Sequence, residues 1–217
     1  MMTVGLTNHG GWDFFVARGR GPVGLVLIHE IFGYNEYIEE VAKDLASAGF
    51  TTAAIDLFRG KRATTMEEGF KFRGEVTKEL LADGVTKGLE LVRRESGASK
   101  LGTMGFCMGG GFALQAACDL ALGFCIDYYG LMENDQDASK LTGPVLMILA
   151  SEDQRVTPWA FQKFLPAAMT YKKRVEVQLY PNARHAFHRP GWEGYNPEAT
   201  KDAWEKTIRF LSGLAPM

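Results

Sequence analysis

Short apolar runs alternate along this chain with longer stretches in which apolar residues return every three or four positions. The runs at 24–29, 51–55, 100–105, 123–128, 144–149 and 175–180 have the length of strands and fit strands buried in a sheet. Strands buried on both faces and separated by helical stretches form the pattern of a mostly parallel sheet with helices on both faces. Residues 12–16 predict one further strand at an edge of that sheet.

The helical stretches differ in how well their ends are marked. Residues 35–48 put Ile38, Val41, Ala42 and Leu45 on one face and stop at Gly49, a C-terminal capping residue. A second helix is expected over 75–94, where Val76, Leu80, Val85, Leu89 and Val92 keep a helical spacing despite Gly84 and Gly88. Thr157-Pro158 and Asn196-Pro197 each set a capping residue before a proline at the first helical position, so they mark two more helix starts. Residues 58–72 follow neither period. They predict an irregular connection entering a helix, of the kind that builds sites at strand ends.

Composition narrows the class without changing that picture. With 217 residues, 46% apolar and 23% charged, the chain has the balance of a globular protein, and one domain over residues 1–217 is expected. A formal charge of −2 gives no general attraction to nucleic acid or to an anionic membrane, and a monomer is expected. No run reaches the roughly 18 apolar residues of a membrane span, and the first residues lack a basic segment followed by a hydrophobic one, so a cytoplasmic protein is expected. The three cysteines, Cys107, Cys118 and Cys125, have no CxxC spacing and suggest neither a disulfide framework nor a zinc site.

The strand at 100–105 runs directly into Gly105-Phe106-Cys107-Met108-Gly109-Gly110, a GxCxG form of the nucleophile elbow. A sharp strand-to-helix turn holds the central residue in a strained conformation, and small residues two before and two after it keep the chain from colliding with itself. A buried cysteine is ordinarily a small hydrophobe. Here strand, elbow and helix occur in order, and acid and base candidates follow in the order nucleophile, Asp, His, which points to an α/β-hydrolase fold. Cys118 and Cys125 lack such surroundings and are assigned to packing. Asp153, on the loop after the run at 144–149, is preferred to Glu152 as the acid because a shorter side chain fixes a base more tightly. His185, after the run at 175–180, is the base; His188 reads as a surface histidine and His9 as uninvolved. His29, at the end of the first parallel strand, has a packing or hydrogen-bonding role. The backbone N–H groups of Ile31 and Met108 are the natural donors to an oxyanion.

The same residues resemble the dienelactone hydrolase (carboxymethylenebutenolidase) family through His29-Glu30-Ile31-Phe32-Gly33 with Asn35, Asp56-Leu57-Phe58, the cysteine elbow, Tyr128-Tyr129-Gly130, Asp153 and His185-Ala186-Phe187 with Arg189. The resemblance implies a small-molecule ester or lactone as substrate, a Cys107-His185-Asp153 triad working through an acyl-enzyme, and no metal or organic cofactor. It gives Glu30 the role of holding the resting thiol protonated until substrate binds. It also implies a carboxylate on the substrate held by two arginines. Arg189 matches one; Met66 stands where the other would fall, leaving Arg73, about two turns on, as a replacement, with Lys61, Arg62 and Lys71 as weaker candidates. Two other readings are carried: a thiol-dependent carboxylesterase or thioesterase of broad specificity, and a non-catalytic ligand-binding or redox-sensing protein on the same fold.

Overall fold

In a computed structural model that describes residues 4–215, the chain forms one eight-stranded sheet flanked by helices. The elements are β1 (Val4–His9), β2 (Trp12–Ala17), β3 (Val23–Ile28), α1 (Glu36–Ser47), β4 (Thr51–Ile55), α2 (Met66–Glu75), α3 (Lys78–Ser96), β5 (Lys100–Phe106) and α4 (Met108–Asp119). They continue with β6 (Cys125–Tyr128), β7 (Val145–Ala150), α5 (Val156–Trp159), a π-turn (Ala160–Phe164), α6 (Leu165–Thr170), β8 (Val175–Tyr180) and α7 (Pro197–Ser212). The sheet order is β1-β2-β4-β3-β5-β6-β7-β8, with β2 antiparallel to both of its neighbours and the other pairs parallel.

The parallel strands alternate between two cores, as runs buried on both faces must. In β3, Leu25 and Leu27 pack with α1 and α7, while Val26 and Ile28 pack with α3 and α4. From β3 the chain passes to β4 on one side and then returns to place β5 on the other. The loops after β3 and β5 therefore leave toward opposite faces and open a crevice at the strand ends, where this class of fold places its ligands.

The strand expected at the edge, residues 12–16, lies inside the sheet between β1 and β4. Gly10 (φ 62°) and Gly11 (φ 83°) form the turn that folds β1 back on β2, a conformation two-residue hairpins require. The helix expected over 75–94 is two helices, broken at Val76 (ψ 94°), with the Thr77 side chain accepting from Leu80 N–H at 3.2 Å to start α3. Gly84 and Gly88 sit on the sheet side of α3: a Cβ at Gly84 would lie 2.7 Å from Ile55 and one at Gly88 2.6 Å from Val26, so both glycines permit close helix–sheet packing. Thr157 is inside α5, not its cap; its hydroxyl donates to the Ala150 carbonyl at 2.6 Å. Asn196 does cap α7, accepting from Ala199 N–H at 3.0 Å. The cap of α1 is Asn35 at its start and Ala48 at its end, with Gly49 (φ 103°) the next residue. Among the described residues no helix is long and apolar enough to cross a membrane.

Candidate active site

β5 enters α4 through Cys107, whose backbone lies at φ 55°, ψ −120°. A positive φ is strained for any residue with a Cβ, and it persists only where the surroundings enforce it. Here the Cys107 N–H donates to the Tyr128 carbonyl at 2.9 Å, and its carbonyl accepts from Gly110 and Gly111 at 3.0 and 3.2 Å. A Cβ on Gly105 would fall on the Gly109 carbonyl, and one on Gly109 on the carbonyl oxygens of Ile28 and His29. The first turn of α4 can thus lie directly against the end of β3, beside the loop that carries Ile31. Met108 is the first residue of α4, where a backbone N–H has no partner within the helix. Ile31 and Met108 both line the cavity into which the thiol opens.

Cys107, His185 and Asp153 form one hydrogen-bonded chain. The Cys107 Sγ lies 3.0 Å from His185 Nε2, and His185 Nδ1 lies 2.6 Å from Asp153 Oδ2. The other Asp153 oxygen accepts from the N–H groups of Arg155 and Val156 at 3.0 and 2.9 Å, so the carboxylate is clamped at the start of α5. Burial pushes the Asp153 pKa up, but the His185 bond and the two backbone donors outweigh it and hold the carboxyl below its ordinary range. Burial likewise favours neutral His185; its bonds to Asp153 and the Cys107 sulfur, with the charges of both, overturn that and lift it to about 10. Glu152, the competing acid, is exposed and pairs with Arg184 at 3.4 Å.

Glu30 is buried, and burial raises its pKa against the pull of Arg189, whose Nη1 is 2.5 Å from its Oε1. Asn35 Nδ2 stands 3.4 Å from the same oxygen while its Oδ1 caps α1, which ties the helix to the glutamate. The Arg189 guanidinium lies over Phe32 and Trp192, at 5.0 and 5.6 Å from their ring centres. Arg189 is therefore turned onto Glu30 and two aromatic rings, and it does not line the cavity; Arg73 does. Arg73 is ion-paired with Glu133. His29 is buried, with Nε2 accepting from Leu57 N–H at 3.2 Å and Nδ1 2.7 Å from the Glu30 carbonyl, so it holds the strand end as a neutral ring with its proton on Nδ1. Cys118 and Cys125 are buried in the apolar cluster between the sheet and α4.

Several residues that the motif reading passed over surround this chain. Tyr129, at φ 43°, sets its ring 5.2 Å from that of His185 and lines the cavity. Asp127 beside it is fully buried and, by that burial, raised to about 8; its Oδ1 accepts from Gly130 N–H at 2.8 Å and so fixes the turn that carries Tyr129. The Tyr128-Tyr129-Gly130 triplet was the available cue. His188 is not on the surface: it is 7% exposed, with Nδ1 2.8 Å from the Tyr37 hydroxyl. Its burial depresses its pKa to about 4. As pH falls below about 6.5 the unfolded chain takes up this proton while the folded chain refuses it until about 4, so stability is lost across that window. His188→Gln, which keeps a hydrogen-bonding side chain but does not titrate, is expected to gain about 2 kcal/mol on the parent between pH 7 and pH 5, measured by urea unfolding. An unchanged difference between the two proteins at those pH values would show that His188 takes up its proton in the fold as readily as in the unfolded chain.

Residues 14–214 match the model of the dienelactone hydrolase family. The chain is 30% identical over 236 residues to a carboxymethylenebutenolidase of a Pseudomonas species, an alignment covering 100% of this chain and 98% of that one. A solved structure of a candidate dienelactone hydrolase from Klebsiella pneumoniae superposes with a TM-score of 0.88 at 24% identity, covering 98% of this chain and 99% of that one. A dienelactone hydrolase-like promiscuous phosphotriesterase from metagenomic libraries gives 0.84 at 23% identity, covering 99% of each chain. The fold is that of the α/β-hydrolases.

Proposed function

The chain belongs to the dienelactone hydrolase family and is a hydrolase of lactones or esters, and from that premise we propose that it works by transferring an acyl group to Cys107, with His185 as base and Asp153 holding the imidazole. The observation that carries this reading is the unbroken contact from sulfur to imidazole to carboxylate, at 3.0 and 2.6 Å, on an elbow that opens into a cavity.

Each step follows from that placement. His185 Nε2 takes the thiol proton, and the sulfur attacks the carbonyl carbon while the carbonyl oxygen becomes an oxyanion held by the N–H groups of Ile31 and Met108. The carbon–oxygen bond to the alcohol breaks, and the departing alkoxide takes the proton from His185. Water then gives a proton to the same nitrogen and attacks the thioester; collapse of the second oxyanion frees the acid and expels the sulfur, which takes that proton back from His185. Because Asp153 accepts two backbone N–H bonds besides that of His185, it stays ionised and keeps His185 Nε2 directed at the sulfur. Glu30, held by Arg189, leaves the thiol to His185, which is the pairing that attack requires. In the resting role implied by the family resemblance, the same carboxylate turns to the thiol until substrate arrives.

Rapid mixing with p-nitrophenyl acetate followed by acid quench is the test. A burst of p-nitrophenol is expected, with one acetyl group on the peptide that contains Cys107. Turnover with the acetyl group on another residue, or with full rate in Cys107→Ala, overturns the mechanism.

A further inference from the structure

The cavity beside Cys107 is large, about 1390 Å³, and exceeds the roughly 300–1,000 Å³ that holds a drug-sized ligand. Its walls are uneven. On one side α2 presents Met66 and Phe70, 46% and 51% exposed, although Gly69 is its only buried residue. Phe112 of α4 and Leu131 continue the same apolar wall. α2 approaches closely because Gly69 has no side chain: a Cβ there would lie 2.7 Å from the Ile31 carbonyl oxygen. The apolar wall therefore adjoins the loop assigned to oxyanion binding.

The charges of the cavity oppose an anionic guest. Carboxylates outnumber Lys and Arg on its walls by five to four. Arg73 is paired with Glu133, Lys78 with Asp119 at 3.0 Å, and Arg184 with Glu152. Arg189, four residues after the base, is neutralised by Glu30 behind Phe32 and Trp192. A substrate carboxylate would have to break one of these pairs or reach Arg155, a cavity residue exposed to water, whereas an alkyl chain needs only the water displaced from Met66 and Phe70.

The orientation follows from the base. His185 must reach the leaving oxygen, so the alcohol portion lies toward His185 and Trp192, and the acyl portion lies toward α2. We propose that this enzyme selects uncharged esters with an apolar acyl chain of medium length, and that Phe70 and Met66 of α2 are the residues that measure it. The proposal rests on acyl transfer to Cys107, but its readout is separate: a preference among substrates, not the presence of turnover.

The experiment is kcat/KM for p-nitrophenyl acetate, butyrate, hexanoate and octanoate, together with the hemisuccinate, which puts a carboxylate where the butyrate has a methyl group. Burial in water-free surroundings favours each added methylene by up to about fourfold, and on a half-exposed wall the gain from acetate to octanoate is expected to be roughly 30-fold or more. The hemisuccinate is expected roughly tenfold or more below the butyrate, in line with the cost of an unmatched carboxylate. Phe70→Ala and Met66→Ala, both at exposed positions, are each expected to lower the octanoate-to-acetate ratio about five- to tenfold. A flat or falling chain-length series overturns the proposal, as does a preferred hemisuccinate that loses its advantage in Arg73→Ala. Absence of Cys107-dependent cleavage of every ester overturns both this and the acyl-transfer mechanism; Cys107-dependent cleavage of acetate with no chain-length preference overturns this alone.

Discussion

Replacing Cys107 with alanine is expected to lower kcat/KM for p-nitrophenyl acetate by about four to six orders of magnitude, the scale seen when the nucleophile of a coupled triad is removed. The loss is so large because the side chains act as a unit. His185 and Asp153 can be in place, yet without sulfur there is no atom to carry the acyl group. Folding should survive, since alanine is smaller and is asked to adopt the same φ of 55° that cysteine already adopts. The control is Cys107→Ser, which keeps the shape but requires His185 to take a proton from a hydroxyl; its activity should fall between the two. The variants also report on the base. With the sulfur gone, two of the influences that lift His185 disappear, so its titration followed by NMR should move down from about 10. A His185 that titrates identically in Cys107→Ala would mean that sulfur and imidazole are not in contact in solution.

Gly109→Val should be nearly as damaging without altering any side chain that reacts. Its Cβ would strike the carbonyl oxygens of Ile28 and His29, forcing the first turn of α4 away from β3 and carrying the Met108 N–H with it. One such donor is worth about 3 kcal/mol in acyl-transfer sites, so kcat is expected to drop by two to three orders of magnitude. A cooperative urea transition should remain, because the clash is local to one turn, although with a lower midpoint. If Gly109→Val keeps more than about a tenth of the parent kcat, the elbow does not position the oxyanion donor.

What could be read in the sequence was whatever one stretch of chain determines by itself. The buried strands show as apolar runs because both their faces are covered, and the elbow shows because its turn demands glycine at 105 and 109. Asn196 capping α7 is another such feature. β1 was missed because it faces water: Leu6 is 73% exposed, and only the Gly10-Gly11 pair betrays the hairpin. α2 was missed for a similar reason. Its apolar side chains, Met66, Phe70 and Phe72, are too few over ten residues to set a period, although Thr65 accepting from Glu68 N–H at 3.2 Å is a cap that the Thr-x-x-Glu spacing announces.

The candidate acid and base were legible as residue types at the ends of particular strands, but their contacts were not. Glu152 and Asp153 are neighbours, and only the fold shows which of them faces His185 and which faces Arg184. Likewise His188 differs from a surface histidine through partners distant in the chain, Tyr37 151 residues away and the rings of Phe106 and Tyr128. The pairing of Arg189 with Glu30 joins the two ends of the protein, and no local pattern could announce it.

The order of the strands also has a consequence for how the protein is made. Once β3 and β4 have formed, β5 is laid down beside β3, and each strand from β6 to β8 beside the one before it, in the order in which it leaves the ribosome. The elbow is thus complete well before its base exists: His185 is made 78 residues after Cys107, a delay of roughly 4–16 seconds at ordinary translation rates. Throughout that interval the growing polypeptide carries a thiol with no imidazole partner. On the proposed mechanism, chemical competence comes late in the synthesis of this protein, and a product truncated before β8 is expected to be inert.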